Sequence, residues 1–282
     1  MKLALPAVLL AAPQVGRADT IYVASYHDTI LKFMQDGVGS VFAGTGLSGP
    51  AGLAFDRAGN LYAVNDNNDT ISKFTPDGAG SVFAHTGNEP QGLAFDSAGN
   101  LYVANQTDDT IQKFTPNGVG SIFASNGLSI PHGLAFDSRD NLYVANGQNN
   151  TIEKFTPEGI GSVFASTGLN IPVGLAFDSA GNLYAANFNV HNIMKFTPDG
   201  VGSLFATTGW LPQGLAFDSA GNLYVANSNS GTVEKFTPEG VGSIFATVDA
   251  PTFITIVPEP STWATVGLGF AALFTLRRPK QK

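Results

Sequence analysis

Residues 214–246 read GLAFDSAGNLYVANSNSGTVEKFTPEGVGSIFA. Four short runs rich in β-branched and aromatic residues, GLAFD, NLYVAN, TVEKF and GSIFA, are bounded by turn residues. DSAGN begins with Asp and puts Gly where a positive φ is expected, and TPEG places Pro second and Gly fourth in a turn. The stretch therefore predicts four antiparallel strands. GLAFD recurs from Gly52, Gly92, Gly133, Gly174 and Gly214, in steps of 40, 41, 41 and 40 residues. A period near 40 marks an array of supersecondary units. The strands show only weak polar/apolar alternation, so both faces of each sheet must be covered. Each buried Leu, Ile or Phe is worth roughly 1.5–3 kcal/mol. One sheet cannot bury two apolar faces alone, and radial stacking of sheets solves the problem.

The outer SxFA strands begin at Ser40, Ser81, Ser121, Ser162, Ser203 and Ser243, and the LYVAN-like strands at Ile21, Leu61, Leu101, Leu142, Leu183 and Leu223. Both sets number six, yet GLAFD occurs five times. The missing inner strand is expected in APTFITIV (250–257), with Pro251 matching Pro212 and Phe253 to Ile256 in the place of GLAF. The predicted fold is all-β: a six-bladed β-propeller of four-stranded antiparallel blades, closed by pairing of the N- and C-terminal strands. One DSAGN turn carries Asp140 in place of Gly, a residue that tolerates positive φ better than most.

The ends are different in kind. Residues 1–18, MKLALPAVLLAAPQVGRA, have a basic start at Lys2, a short apolar core and small residues at Gly16 and Ala18, the pattern of a signal peptide. Ten apolar residues are too few for a spanning anchor. Residues 19–257 form the expected propeller, and 258–282 a separate tail. That tail has Pro258, Glu259 and Pro260, then sixteen uncharged residues, then Arg277 and Arg278. Sixteen helical residues reach about 24 Å, short of a hydrocarbon core of about 30 Å. Gly267 and Gly269 weaken the run further. It suits a transient inner-membrane contact better than a permanent tail anchor, and the two arginines favour a cytoplasmic end with the propeller outside. Six of the 14 basic residues lie in the two ends, leaving eight against 22 acids, a net charge of −14 for the trimmed chain. Such a surface repels phosphate backbones, so nucleic acid is not an expected partner. Cysteine is absent, which excludes disulfides and thiolate chemistry.

The repeat GLAFDSAGNLYVANSNSGTVEKFTPEG resembles the NHL-repeat propellers over about residues 20–257, proteins related in form to gluconolactonase and streptogramin-lyase propellers. That resemblance implies a fold rather than an activity, because the scaffold hosts enzymes, receptors and adaptors. The tail resembles the PEP-CTERM sorting signal on Val257, Pro258, Glu259, Pro260, the apolar run, Arg277 and Arg278. This second resemblance implies an exosortase-type processing enzyme, export, a link to extracellular polysaccharide, and a Gram-negative bacterium that forms biofilms or flocs.

Within each repeat the DSAGN and TPxGxG turns are monotonous and share one face of the disc. The loops DNND, QTDD, GQNN, FNVH and SNSG vary and share the other, and such loops are either unconstrained or the place where binding evolved. His27, His85, His132 and His191 all fall on the variable face, with Phe188 and Trp210. Ala51, Gln91, His132, Val173, Gln213 and Thr252 precede the inner strands and are expected to ring the channel mouth. Gln91, His132, Gln213, Phe188 and Trp210 are the candidate binding residues: amides for hydrogen bonds, aromatic faces for stacking on sugar rings. His85, Glu89 and His132 are the candidate metal or acid–base set. Asp66 and Asp69, in an Asn/Asp cluster at 65–69, offer oxygen ligands without the order of an EF-hand loop. No cofactor is expected, with Ca²⁺ or Mg²⁺ as the one candidate. The lysines at 32, 73, 113, 154, 195 and 235 read as a solvated rim beside turn acids such as Asp77 and Glu158.

Gluconolactonase-like propellers hold a divalent metal with an acidic residue at the mouth plus Asn and Asp ligands, and no inner-strand entry here carries Asp or Glu. Streptogramin lyases are seven-bladed and pair His with Glu; His132 has no evident Glu partner. The sequence therefore favours an exported, non-catalytic binding or scaffold propeller of the cell surface or exopolysaccharide matrix, with a glycan or surface protein on its variable face. The alternative is a metal-dependent lactonase- or lyase-like enzyme with its site at the channel mouth.

Overall fold

The computed structural model describes residues 19–258. The first blade holds β1 (Asp19–Ser25), β2 (Thr29–Phe33) and β3 (Gly39–Ala43). The second holds β4 (Pro50–Phe55), β5 (Leu61–Asn65), β6 (Thr70–Phe74) and β7 (Gly80–His85). The third holds β8 (Pro90–Phe95), β9 (Leu101–Asn105), β10 (Thr110–Phe114) and β11 (Gly120–Ala124). The fourth holds β12 (Pro131–Phe136), β13 (Leu142–Asn146), β14 (Thr151–Phe155) and β15 (Gly161–Ala165). The fifth holds β16 (Pro172–Phe177), β17 (Leu183–Asn187), β18 (Asn192–Phe196) and β19 (Gly202–Thr207). The sixth holds β20 (Pro212–Phe217), β21 (Leu223–Asn227), β22 (Thr232–Phe236) and β23 (Gly242–Thr247). β24 (Pro251–Pro258) then returns to the first blade, whose strand order is β24-β1-β2-β3. Its register pairs Tyr22 with Thr255 and Ile21 with Ile256. The expected closure is present, and it covers an edge that would otherwise leave Ile21 and Val23 open to water.

The core lies between blades. Tyr22 of the first blade meets Phe42 of its own outer strand and Phe55 of the next inner strand edge-on, at 5.1 and 4.9 Å between centroids. Tyr62, Tyr102, Tyr143 and Tyr184 repeat this arrangement. Edge-to-face pairs add about 0.5–1.5 kcal/mol beyond burial. Ile21, Val23 and Phe33 pack with Tyr224, Val233 and Ile254, so the last blade joins the first through the same kind of apolar contact.

On the monotonous face each Asp of DSAGN holds its turn. Asp56 Oδ1 accepts the N–H groups of Ala58 and Asn60, at 2.9 and 2.8 Å, and Oδ2 accepts the Asn60 amide at 2.7 Å. Burial works to raise the Asp56 carboxyl, but these hydrogen bonds and the Lys73 charge outweigh it and leave its pKa lowered. Five of the six repeated lysines, all but Lys32, belong here rather than beside Asp77 and Glu158. Lys73 lies 3.8 Å from Asp56 and over the Tyr62 ring, and Lys235 lies 3.5 Å from Asp218 and over Tyr224. The strand pairing of Lys73 with Tyr62 directs the ammonium back over the ring and toward the first turn of its own blade.

The axis is filled. A Cβ on Gly52, Gly92, Gly133 or Gly174 would fall within 2.5 Å of the next inner strand's carbonyl oxygen, so glycine allows the inner strands to converge. The first blade has Phe253 at this position. Phe253 lines, with Leu53, Leu93, Leu134, Leu175, Leu215 and Ile254, a small cavity of about 60 Å³.

Candidate functional site

Each inner strand starts with proline, and the residue before it is left-handed: Gly49, Glu89, Ile130, Ile171, Leu211 and Ala250, with φ from +41° to +59°. Such a conformation is unfavourable for a β-branched residue and needs support. For the first five, the support comes from the last residue of the preceding blade's variable loop. Gly49 N–H donates to Asp28 at 2.7 Å, Glu89 N–H to Asp69 at 3.0 Å, and Ile130 N–H to Asp109 at 2.6 Å. Ile171 N–H donates to Asn150 at 2.7 Å and Leu211 N–H to His191 Nδ1 at 3.2 Å. These residues latch blade to blade around the mouth.

Inside this collar, Gln91, His132, Ile171, Val173, Phe188 and Gln213 enclose a cavity of about 170 Å³. Gln91, His132, Val173 and Gln213 occupy the same position in four successive inner strands. Ala51 and Thr252, the other two members of the set, are buried. Thr252 Oγ1 donates to the Pro50 carbonyl at 2.9 Å, across the seam between the last strand and the second blade. His132 lies against Gly147, where a Cβ would stand 2.9 Å from its Nε2. Burial lowers the His132 pKa to about 4, and its shielded Nδ1 has no protein partner. The imidazole is therefore neutral at ordinary pH. Gln91 Nε2 donates to Asp66 Oδ1 at 2.9 Å, so that carboxylate is engaged at the side of the cavity. Burial first, then the Glu89 and Asp69 charges, raise the Asp66 pKa.

The sequence-derived candidates separate on this geometry. Gln91, His132, Gln213 and Phe188 come together. Trp210 stands apart, 63% exposed, and stacks on His191 with centroids 5.6 Å apart. His85 ends β7 on the surface, and Glu89 accepts the Thr107 hydroxyl at 2.5 Å. Among the described residues, no three His, Asp or Glu side chains form a group able to hold a metal ion, so His85, Glu89 and His132 do not converge. Asp66 and Asp69 hold Gln91 and the Glu89 N–H respectively. Pro258 closes β24, while Glu259, Pro260, Arg277 and Arg278 lie outside the described residues, as does the expected signal peptide.

The sequence did not single out Ile171 in the mouth, and it placed every binding candidate on the variable face. Two clefts of about 360 and 350 Å³ lie on the monotonous face, bounded by Arg57 and Arg139. The available signal was the departure of DRAGN (56–60) and DSRDN (137–141) from DSAGN.

Residues 210–236 match the NHL repeat, and residues 257–278 match the PEP-CTERM protein-sorting motif. No curated protein matches the chain in sequence. In structure it is similar to a chain of the nidogen/laminin complex, with TM-score 0.75 and 20% identity over 84% of this chain and 98% of that one. It is also similar to virginiamycin B lyase from Staphylococcus aureus, with TM-score 0.62 and 16% identity over 80% of each chain. At these identities the likeness shows the fold alone. The sorting motif implies export, membrane-anchored sorting and processing by an exosortase. The chain is a six-bladed β-propeller that carries an NHL repeat and ends in a PEP-CTERM protein-sorting motif.

Proposed function

We propose that this is a non-catalytic binding propeller of the cell surface or exopolysaccharide matrix of a Gram-negative bacterium, holding an uncharged glycan segment at the mouth of its variable face. The observation that carries the reading is the composition of the mouth: two amides, a neutral imidazole, one aromatic ring and two aliphatic side chains around about 170 Å³. Amides supply paired donors and acceptors for hydroxyl groups, and an aromatic face packs against the C–H surface of a sugar ring. The close approach of the inner strands below the mouth supports a surface pocket rather than a through-channel. The sorting motif supports delivery to the envelope, where such a ligand is found.

A glycan array read with wild type, Gln213→Ala and Phe188→Ala tests this. Binding is expected to survive chelation and to fall at least about tenfold in each variant, the loss of one good contact of roughly 1.4 kcal/mol. Binding that both variants retain contradicts the reading. Chelator-sensitive turnover of a lactone or cyclic ester that His132→Ala abolishes favours the metal-dependent lactonase- or lyase-like alternative.

A further inference from the structure

The third residue of each third strand faces the loop that arrives from the preceding blade. This position holds Leu31, Ser72, Gln112, Glu153, Met194 and Glu234. Loop length sets what it meets. Where five residues separate the Ala of the outer strand from the next proline, the loop glycine presents its N–H. Gly87 N–H donates to Gln112 Oε1 at 3.1 Å, and Gly209 N–H to Glu234 Oε2 at 2.9 Å. Glu234 also accepts Thr208 Oγ1 at 2.6 Å and Asn227 Nδ2 at 3.0 Å.

Six-residue loops turn the glycine over. Gly46, Gly127 and Gly168 are left-handed, with φ of +74° to +75°. Ser72 matches its loop by donating to the Gly46 carbonyl at 2.6 Å, and Met194 matches its loop with an apolar thioether close to Gly168. Glu153 does not match. Its Oε1 would lie 3.1 Å from a Cβ on Gly127, the Gly127 carbonyl is taken by Asn146 Nδ2 at 2.9 Å, and among the described residues no side chain or N–H donates to the carboxylate. Glu153 is 6% exposed, and burial alone raises its pKa. The side chain is largely desolvated while its carboxylate opens only onto a cleft, a setting that a cation or a donor in that cleft would stabilise.

The carboxylate borders a cleft of about 320 Å³ between the outer parts of the third and fourth blades. The remaining walls include Ser125, Asn126, Gly127 and Ile122, and the lining is mainly polar. We propose that this cleft binds a protonated amino sugar, with the ammonium group donating to Glu153 and the ring hydroxyls meeting Ser125 and Asn126. A single carboxylate balances one ammonium charge, whereas Ca²⁺ takes six to eight oxygens and commonly several carboxylates. The cleft is of small-ligand size rather than ion size. Its polar lining fits a hydroxylated ring better than an aliphatic lysine stem. The net charge of −14 for the trimmed chain also favours cationic ligands.

Calorimetry of the intact exported chain with glucosamine and its β-1,4 trimer tests the assignment, with N-acetylglucosamine, butylammonium and CaCl2 as comparisons. Glucosamine is expected to bind, N-acetylglucosamine at least tenfold more weakly, and Glu153→Gln to lose at least tenfold. Glu234→Gln and the mouth variant Gln213→Ala are expected to bind as wild type does, which separates this site from the mouth. Glu153→Met copies the fifth blade's solution, so it should keep the wild-type melting temperature and lose binding. Equal binding of butylammonium, preference for calcium, absence of glucosamine binding, or undiminished binding by both Glu153 variants overturns the proposal.

Discussion

The Asp109 carboxylate accepts the backbone N–H of Ile130 at 2.6 Å, and Ile130 is left-handed at φ +51°. The two facts belong together. A β-branched residue at positive φ costs about 1–2 kcal/mol, and the bond from the neighbouring blade holds it there. Asp109→Ala is expected to lower stability by about 1–2 kcal/mol, because the N–H loses its partner. In the double variant with Ile130→Gly the losses should fall short of additivity by at least about 0.5 kcal/mol. Strict additivity in denaturant unfolding would mean that the latch and the strained residue are independent.

Closure gives a second prediction. Deleting residues 253–282 removes most of β24 and exposes Ile21 and Val23, while Ile254 is lost from the apolar cluster they share with Tyr224. At roughly 1.5–3 kcal/mol per buried aliphatic side chain, these three alone lose about 4.5–9 kcal/mol, comparable with the whole stability of a domain at about 5–15 kcal/mol, before the lost ladder hydrogen bonds of β24 are counted. Cooperative melting should disappear. Deleting only residues 261–282 should leave the melting temperature of the ring unchanged, since β24 ends at Pro258. Melting that survives the longer deletion counts against the closed ring.

How much of this was legible beforehand follows from what repetition records. The five GLAFD copies and six LYVAN-like and SxFA strands display the blades because every copy solves the same packing problem. The shift of one inner strand to the C-terminus was readable from Pro251 and the aliphatic run after it. The latches were not. Asp28, Asp69, Asp109, Asn150 and His191 differ in type yet perform one task, because accepting a single N–H asks only for a short acceptor. In the sequence they look like loop variation. Trp210 resembled a sugar platform, but its loop directs it onto His191 at the surface. Glu153 and Glu234 occupy the same repeat position with opposite surroundings: the one-residue difference in loop length turns the glycine over, and with it go the donors that Gly209, Thr208 and Asn227 supply to Glu234.

His132 gives a pH signature. Its folded pKa, about 4, lies below the ordinary value of 6.5, so the unfolded chain binds a proton in the interval where the folded chain does not. Stability is then lost as pH falls from 6.5 toward 4, by up to about 3 kcal/mol at roughly 1.4 kcal/mol per unit. His132→Gln lacks this component. The stability difference between wild type and His132→Gln should therefore shift against wild type across that interval and level off below it. A difference that is flat between pH 6.5 and 4 would place His132 in water.

Glycine at the axis is a packing requirement. A Cβ on Gly174 would lie 1.9 Å from the Gln213 carbonyl oxygen, a backbone atom that cannot yield alone. Gly174→Ala should destabilise by about 3 kcal/mol or more through overpacking. Val173 and Gln213 flank this contact and line the mouth, so the same change should weaken ligand binding. Wild-type stability in Gly174→Ala would show that the inner strands stand farther apart.

The mouth is tested most directly by hydrogen–deuterium exchange of the exported chain, with and without a panel of uncharged polysaccharides. Slower exchange is predicted in segments 89–91, 130–132, 171–173 and 211–213, and in the loop carrying Phe188, with the DSAGN turns unchanged. Protection confined to the DSAGN face, or no protection at saturating polysaccharide, contradicts a glycan site at the mouth.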